Sequence, residues 1–150
     1  MTRTCYIILI LFIIYLAFHV GRAYGDPWQD CATTYCTIYY TDTKDLMRFE
    51  KRVGDIDSLA SRVLEITGLR YKEVPKAQIY LQHENCYIAF GITAPAAYYP
   101  KEKLIRANID YVKKHHIAHE LTHFYVCQYF LMYMPGQMQE VVAQWVEGKT

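Results

Sequence analysis

From Tyr111 to Met132 the chain runs without a proline or a glycine, and Pro135 and Gly136 then stop it. Ile117, Leu121 and Phe124 recur at the three- and four-residue spacing that gathers side chains on one face of an α-helix. A helix this long needs a second layer on which its apolar stripe can pack. The same segment contains "HHIAHELTH", residues 115–123, which holds four of the chain's six histidines. The helix must therefore bury one side while presenting a dense polar group on another.

The preceding segments supply the second layer. Residues 35–40, "YCTIYY", read as a strand, being rich in Thr, Ile and Tyr. Thr41 or Asp42 can cap a following helix, and Leu46, Phe49, Val53, Ile56, Ala60, Val63 and Leu64 continue at helical spacing up to a stop at Gly68. That spacing predicts one long amphipathic helix packed on a sheet. "KAQIYLQ", residues 76–82, alternates apolar and polar side chains and predicts a second strand. Residues 83–103 carry Gly91, Pro95 and Pro100 and are expected to form a functional loop or a broken hairpin. "LIRANID", residues 104–110, reads as a further strand at a sheet edge, and Met138 to Val146 as a helix after the proline stop. The expected fold class is α+β in one domain: a small mixed sheet with an edge strand, a long packing helix, the histidine helix and a helix after it.

The first 25 residues stand apart. Arg3 precedes an apolar run from Cys5 to Phe18, and Ala23 and Gly25 offer the small residues that a signal peptidase reads. This predicts an export signal removed after Gly25, leaving a secreted or periplasmic domain of residues 26–150. An N-terminal membrane anchor is the alternative. Without Arg3 and Arg22 the 16 basic side chains fall to 14, against 15 acidic ones. That balance, with its signs interspersed, offers no footprint for nucleic acid or for an anionic membrane. Cys31, Cys36, Cys86 and Cys127 remain. An even number in an exported chain suits two disulfides, with Cys31–Cys36 and Cys86–Cys127 the expected pairing and free buried thiols the alternative.

Within the histidine helix, His119 and His123 stand one turn apart, so both imidazoles project from one face and can reach a single ion. Neutral imidazole suits zinc, and a zinc-bound water ionises near pH 7. Glu120, between them, is placed to take the proton of such a water. His116 falls near the face of His123 and could line the cleft, but neither it nor His115 has ligand spacing, and both are expected to be solvent-facing residues of the first turn.

"HELTH" is the His-Glu-x-x-His signature and resembles the active-site helix of the zinc metallopeptidases called zincins. No His-x-x-Gly-x-x-His continuation follows, which disfavours the metzincin branch. "MPGQMQEVVAQWVEG" instead resembles the gluzincin branch, in which a glutamate on the next helix is the third ligand, within a pattern like Trp-x-x-Glu-Gly-x-Ala. Glu140, Ala143 and Trp145 are similar to its Glu, Ala and following aromatic, while Val141 replaces the glycine. The resemblance spans residues 35–147 and is similar in order to a peptidase-MA-like domain. It implies one Zn²⁺ held by His119, His123 and Glu140, with Glu147 a rival third ligand. It implies Glu120 as general base in peptide hydrolysis, with a peptide or protein as substrate. The acidic residue that usually orients a ligating histidine is replaced by Gln144, which could accept the same hydrogen bond. Gluzincins also carry a further helical subdomain that supplies an oxyanion donor, which the domain of residues 26–150 is expected to lack. Tyr98, Tyr99 and Tyr125 are the substitute candidates. The competing expectation is a non-catalytic zinc-binding or interaction module.

Overall fold

Cys36, Ile38, Ala77, Ile79, Leu81, Ile105 and Ala107 are all buried, and each is separated from the next in its own segment by one more exposed residue. That period of two is the signature of strands with one covered face. The computed structural model describes residues 28–89, 91–130 and 134–150, and the expected export signal lies outside the described residues. Its strands are β1 (Gln29–Ala32), β2 (Cys36–Tyr40), β3 (Ala77–Gln82), β4 (Cys86–Ala89), β5 (Ile92–Ala94), β6 (Ala96–Tyr99) and β7 (Leu104–Asn108). Its helices are α1 (Thr43–Val53), α2 (Ile56–Thr67), α3 (Lys114–Phe130) and α4 (Gly136–Glu147).

Five strands form one mixed sheet in the order β1-β2-β3-β7-β6. β2, β3 and β7 run parallel, while β1 and β6 are antiparallel to their neighbours. Register places Ile38 beside Ile79 and Ile79 beside Ile105 on the covered face. Against these pack Phe49 and Val53 of α1, Leu59 and Val63 of α2, Ile117, Leu121 and Tyr125 of α3, and Val146 of α4. Each such fully buried aliphatic side chain stabilises the fold by about 1.5–3 kcal/mol. On the opposite face Tyr39 stacks on Tyr80, with ring centroids 4.4 Å apart, and Trp28 meets Tyr80 edge-on. The architecture is α+β, with the helices gathered on one side of a mixed sheet.

Three expectations are corrected. The single long helix is two helices. Gly54 takes φ +82°, a conformation that costs a glycine little, and Asp55 starts α2 by accepting from the Asp57 amide and the Ser58 hydroxyl. The apolar spacing runs through this break because both helices turn the same stripe toward the sheet. "LIRANID" is not an edge strand: β7 pairs with β3 on one side and with β6 on the other. The edge on that side of the sheet is β6, four residues bracketed by Pro95 and Pro100 inside the segment expected to be irregular. Within that segment Cys86–Ala89 and Ile92–Ala94 form the separate β4–β5 pair.

The expected disulfides are absent, and the four cysteines are free thiols. Across the β1–β2 hairpin Cys31 faces Ile38 in place of Cys36. Cys86 Sγ donates to the Arg106 carbonyl at 3.2 Å, and Cys127 Sγ to Gln139 Oε1 at 3.1 Å, so each thiol is engaged separately. Burial pushes the Cys36 thiol up to about 12 and the Cys86 thiol up to about 11.

The turn between β1 and β2 is held from α2. Asp57 Oδ1 accepts from the Thr33 hydroxyl at 2.7 Å and the Tyr35 amide at 3.0 Å, and Oδ2 accepts from the Thr34 amide at 2.9 Å. Burial raises this carboxyl, but the hydrogen bonds from Thr33, Tyr35 and Thr34 outweigh it and bring it from 3.8 down to about 2. A carboxyl depressed in the folded state stabilises the protein above its unfolded pKa and loses that contribution as pH falls through the folded value. Asp57→Ala is expected to lose about 1–2 kcal/mol at neutral pH. In urea melts its deficit against the wild type should close as pH falls from about 4 to 2. A deficit unchanged at the acid end would refute this assignment.

Candidate metal centre

The apolar side of α3 sets the direction of its polar side. Ile117, Ala118, Leu121 and Tyr125 are fully buried, so a rotation that exposed any of them would cost core contacts. His119, Glu120 and His123 are thereby aimed into a cleft of about 430 Å³. Its other wall comes from β5, β6 and the residues around them, and its end from Gln139, Glu140 and Glu147 of α4. Pro135 and Gly136 turn the chain so that α4 packs back on α3 and returns its carboxylates to the histidines.

His119 Nε2 and His123 Nε2 are 3.1 Å apart. Glu140 Oε1 lies 3.5 Å from the former, and its Oε2 lies 3.3 Å from the latter. Among the described residues, these three form a group whose donor atoms all lie within 4.8 Å of one another. Donors on a tetrahedral ion at 2.0–2.1 Å are separated by about 3.3 Å, so the observed spacings suit such an ion. Two imidazole lone pairs at 3.1 Å repel unless a proton or a cation lies between them.

Glu147 sits two turns beyond Glu140 on the same helix, and its Oε2 accepts from His119 Nδ1 at 3.0 Å. This holds His119 in the tautomer whose Nε2 lone pair faces the other donors. Glu147 thus meets the far nitrogen of a histidine and lies outside the group formed by His119, His123 and Glu140. Gln144, expected to orient a histidine, is exposed one turn from Glu140 and donates through Nε2 to Glu140 Oε1 at 3.0 Å. The seven-residue interval between the two glutamates was the available signal, since it repeats a helix face.

Glu120 Oε2 accepts from the Tyr98 backbone amide at 2.7 Å, tying α3 to the edge strand. Burial pushes this carboxyl up to about 7, against the pull of His119 and of the Tyr98 amide, with Glu140 and Glu147 adding to the rise. A carboxyl poised near neutrality can both accept and return a proton. Burial, and then the neighbouring His119, lowers the basicity of His123.

The remaining candidates fall in different places. His116 lines the cleft, and its Nδ1 accepts from the Lys113 amide at 3.1 Å, inside the first turn of α3. Burial holds it below the usual histidine range. Tyr98 reaches the site through its backbone, while its ring packs edge-on against Phe124. Tyr99 turns to the other side of β6, where its hydroxyl donates to the Tyr87 carbonyl at 3.0 Å and Arg106 lies over its ring. Tyr125 is buried in the core, and its hydroxyl has no partner among the described residues. Neither Tyr99 nor Tyr125 lines the cleft.

Comparison of the chain with protein-family models, characterised proteins and solved structures gives no match.

The contact between His119 and Glu147 has a measurable consequence. Glu147→Gln keeps the shape of the side chain and removes its charge, so affinity for a divalent ion should fall about 10–100-fold. Competition titration with a chromogenic chelator measures this, and unchanged affinity would remove Glu147 from the site.

Proposed function

We propose that this protein is a zinc-dependent peptidase with a zincin-like domain of the gluzincin kind. The observation that carries the reading is the convergence of Glu140, from a separate helix, on His119 and His123, with Glu120 beside them in one open cleft. The donor set of two imidazole nitrogens and a carboxylate suits zinc. A zinc ion there would act as a Lewis acid and bring the pKa of a water to about 7.

The chain's own residues then divide the work. His119 and His123 offer Nε2, and Glu147 fixes the tautomer of the first. Glu120 takes a proton from the attacking water and returns it to the leaving amine nitrogen. The Tyr98 amide holds Glu120 Oε2, so the proton is handled at a fixed position. β6 ends the sheet beside this carboxylate, and an extended peptide main chain can add there as a further strand through backbone groups other than the Tyr98 amide. Export rests on Arg3, the apolar run from Cys5 to Phe18, and the small residues Ala23 and Gly25.

Glu120→Gln separates metal binding from chemistry, because it leaves all three donors in place. It is expected to hold zinc at one per chain, as the wild type does, and to hydrolyse a mixed peptide library at least about 100-fold more slowly. Equal activity in the two forms would overturn the mechanism. One zinc per chain with no hydrolysis by the wild type would favour a metal-binding module over a peptidase.

A further inference from the structure

The cleft is unlike on its two sides. The helical side carries His116, His119, Glu120, His123, Glu140 and Glu147, whereas the strand side offers Ile88, Ala94, Pro95, Ala97 and Pro100, with no charged group. Ile88 reaches the cleft through an irregularity in the β4–β5 pair. Tyr87 is opposite Thr93 and Ala89 is opposite Ile92, so Ile88 is an extra residue with no partner of its own. A β-bulge of this kind re-aims a side chain relative to the regular alternation of its strand.

The strands that carry the bulge are fastened at several points. Asn108, itself 1 % exposed, donates through Nδ2 to the His83 carbonyl at 3.1 Å and to Asn85 Oδ1 at 3.0 Å, fixing the base of β4. The Tyr99 hydroxyl holds the Tyr87 carbonyl, and Cys86 Sγ holds the Arg106 carbonyl. These contacts fix the chain that leads into Ile88, yet Ile88 remains 55 % exposed. A large aliphatic side chain held open to water at the mouth of a polar site gains free energy when a ligand covers it.

On the reading of the site as a zinc peptidase, we propose that Ile88 and the adjoining Pro95–Ala97–Pro100 wall form a subsite selecting substrates with an uncharged aliphatic side chain next to the scissile bond. The occupant is that side chain of an extended peptide. Ile88 acts by contact with the substrate, and the polar groups of the opposite wall are left to the reacting bond. A polar side chain of the same shape would lose its water against this wall without gaining a hydrogen-bond partner.

Binding of amino-acid hydroxamates to the zinc-loaded protein tests this without turnover. Leucine and asparagine hydroxamates share a metal-seeking head and a similar side-chain shape, and both side chains are neutral, so the acidic groups of the cleft do not bias the comparison. Calorimetric titration should show leucine hydroxamate binding the wild type about tenfold or more tightly than its asparagine counterpart. Ile88→Asn should abolish that preference by weakening only the leucine compound. Ile92→Asn, at a neighbouring exposed aliphatic residue that does not line the cleft, should retain it. Equal binding of both compounds by the wild type would overturn the proposal. So would a preference that survives Ile88→Asn, or a loss of both ligands together in that variant. A wild type that shows the preference yet cleaves no peptide would refute the peptidase reading and leave the subsite standing.

Discussion

Ile117, Leu121 and Tyr125 press α3 onto the covered face of the sheet, and this fixes the rotation of the helix about its own axis. Neighbouring residues differ by about 100° around a helix, so burying this stripe leaves His119, Glu120 and His123 one shared direction to face. The packed core resists rotation because each fully buried side chain would exchange close contacts for water or a void. A site built on such a helix inherits the rigidity of the core beneath it.

Two further elements complete the cleft against that fixed helix. α4 returns past Pro135 and Gly136, bringing one Glu140 oxygen near each histidine Nε2 and Glu147 to the far nitrogen of His119. β6 approaches from the sheet, and its Tyr98 amide meets Glu120. The glutamates need the histidines as partners as much as the reverse. Carboxylates gathered at one cleft repel one another, and Glu120 shows the effect, its carboxyl being raised by burial with Glu140 and Glu147 adding to the rise.

Several elements were open to reading from the residues, and their limits have physical causes. Strand β2 follows from its Thr, Ile and Tyr content, β3 from period-two alternation, and the stop of α2 from Gly68, which takes the left-handed conformation at φ +67°. The break at Gly54 was hidden because the apolar spacing continues across it, although a glycine followed by a capping aspartate is itself a helix-end signal. β6 was missed for another reason. Four residues between two prolines carry too little periodicity to register, and only pairing with β7 makes them a strand. The cysteines show the same limit, since an even count permits disulfides while register and burial keep the thiols apart.

In the site, residue spacing alone established that His119 and His123 share a helix face with Glu120 beside them, and that Glu140 lies on the helix that follows. Helical geometry is local, so a separation of four residues carries that information within the chain. Which glutamate meets which nitrogen, which strand forms the edge and which way Ile88 points are contacts between segments far apart in sequence. They depend on how α4 packs against α3, on the pairing of β6 with β7 and on one unpaired residue in β4. No local periodicity encodes those distances, because they exist only once separate elements have been brought together on a common core.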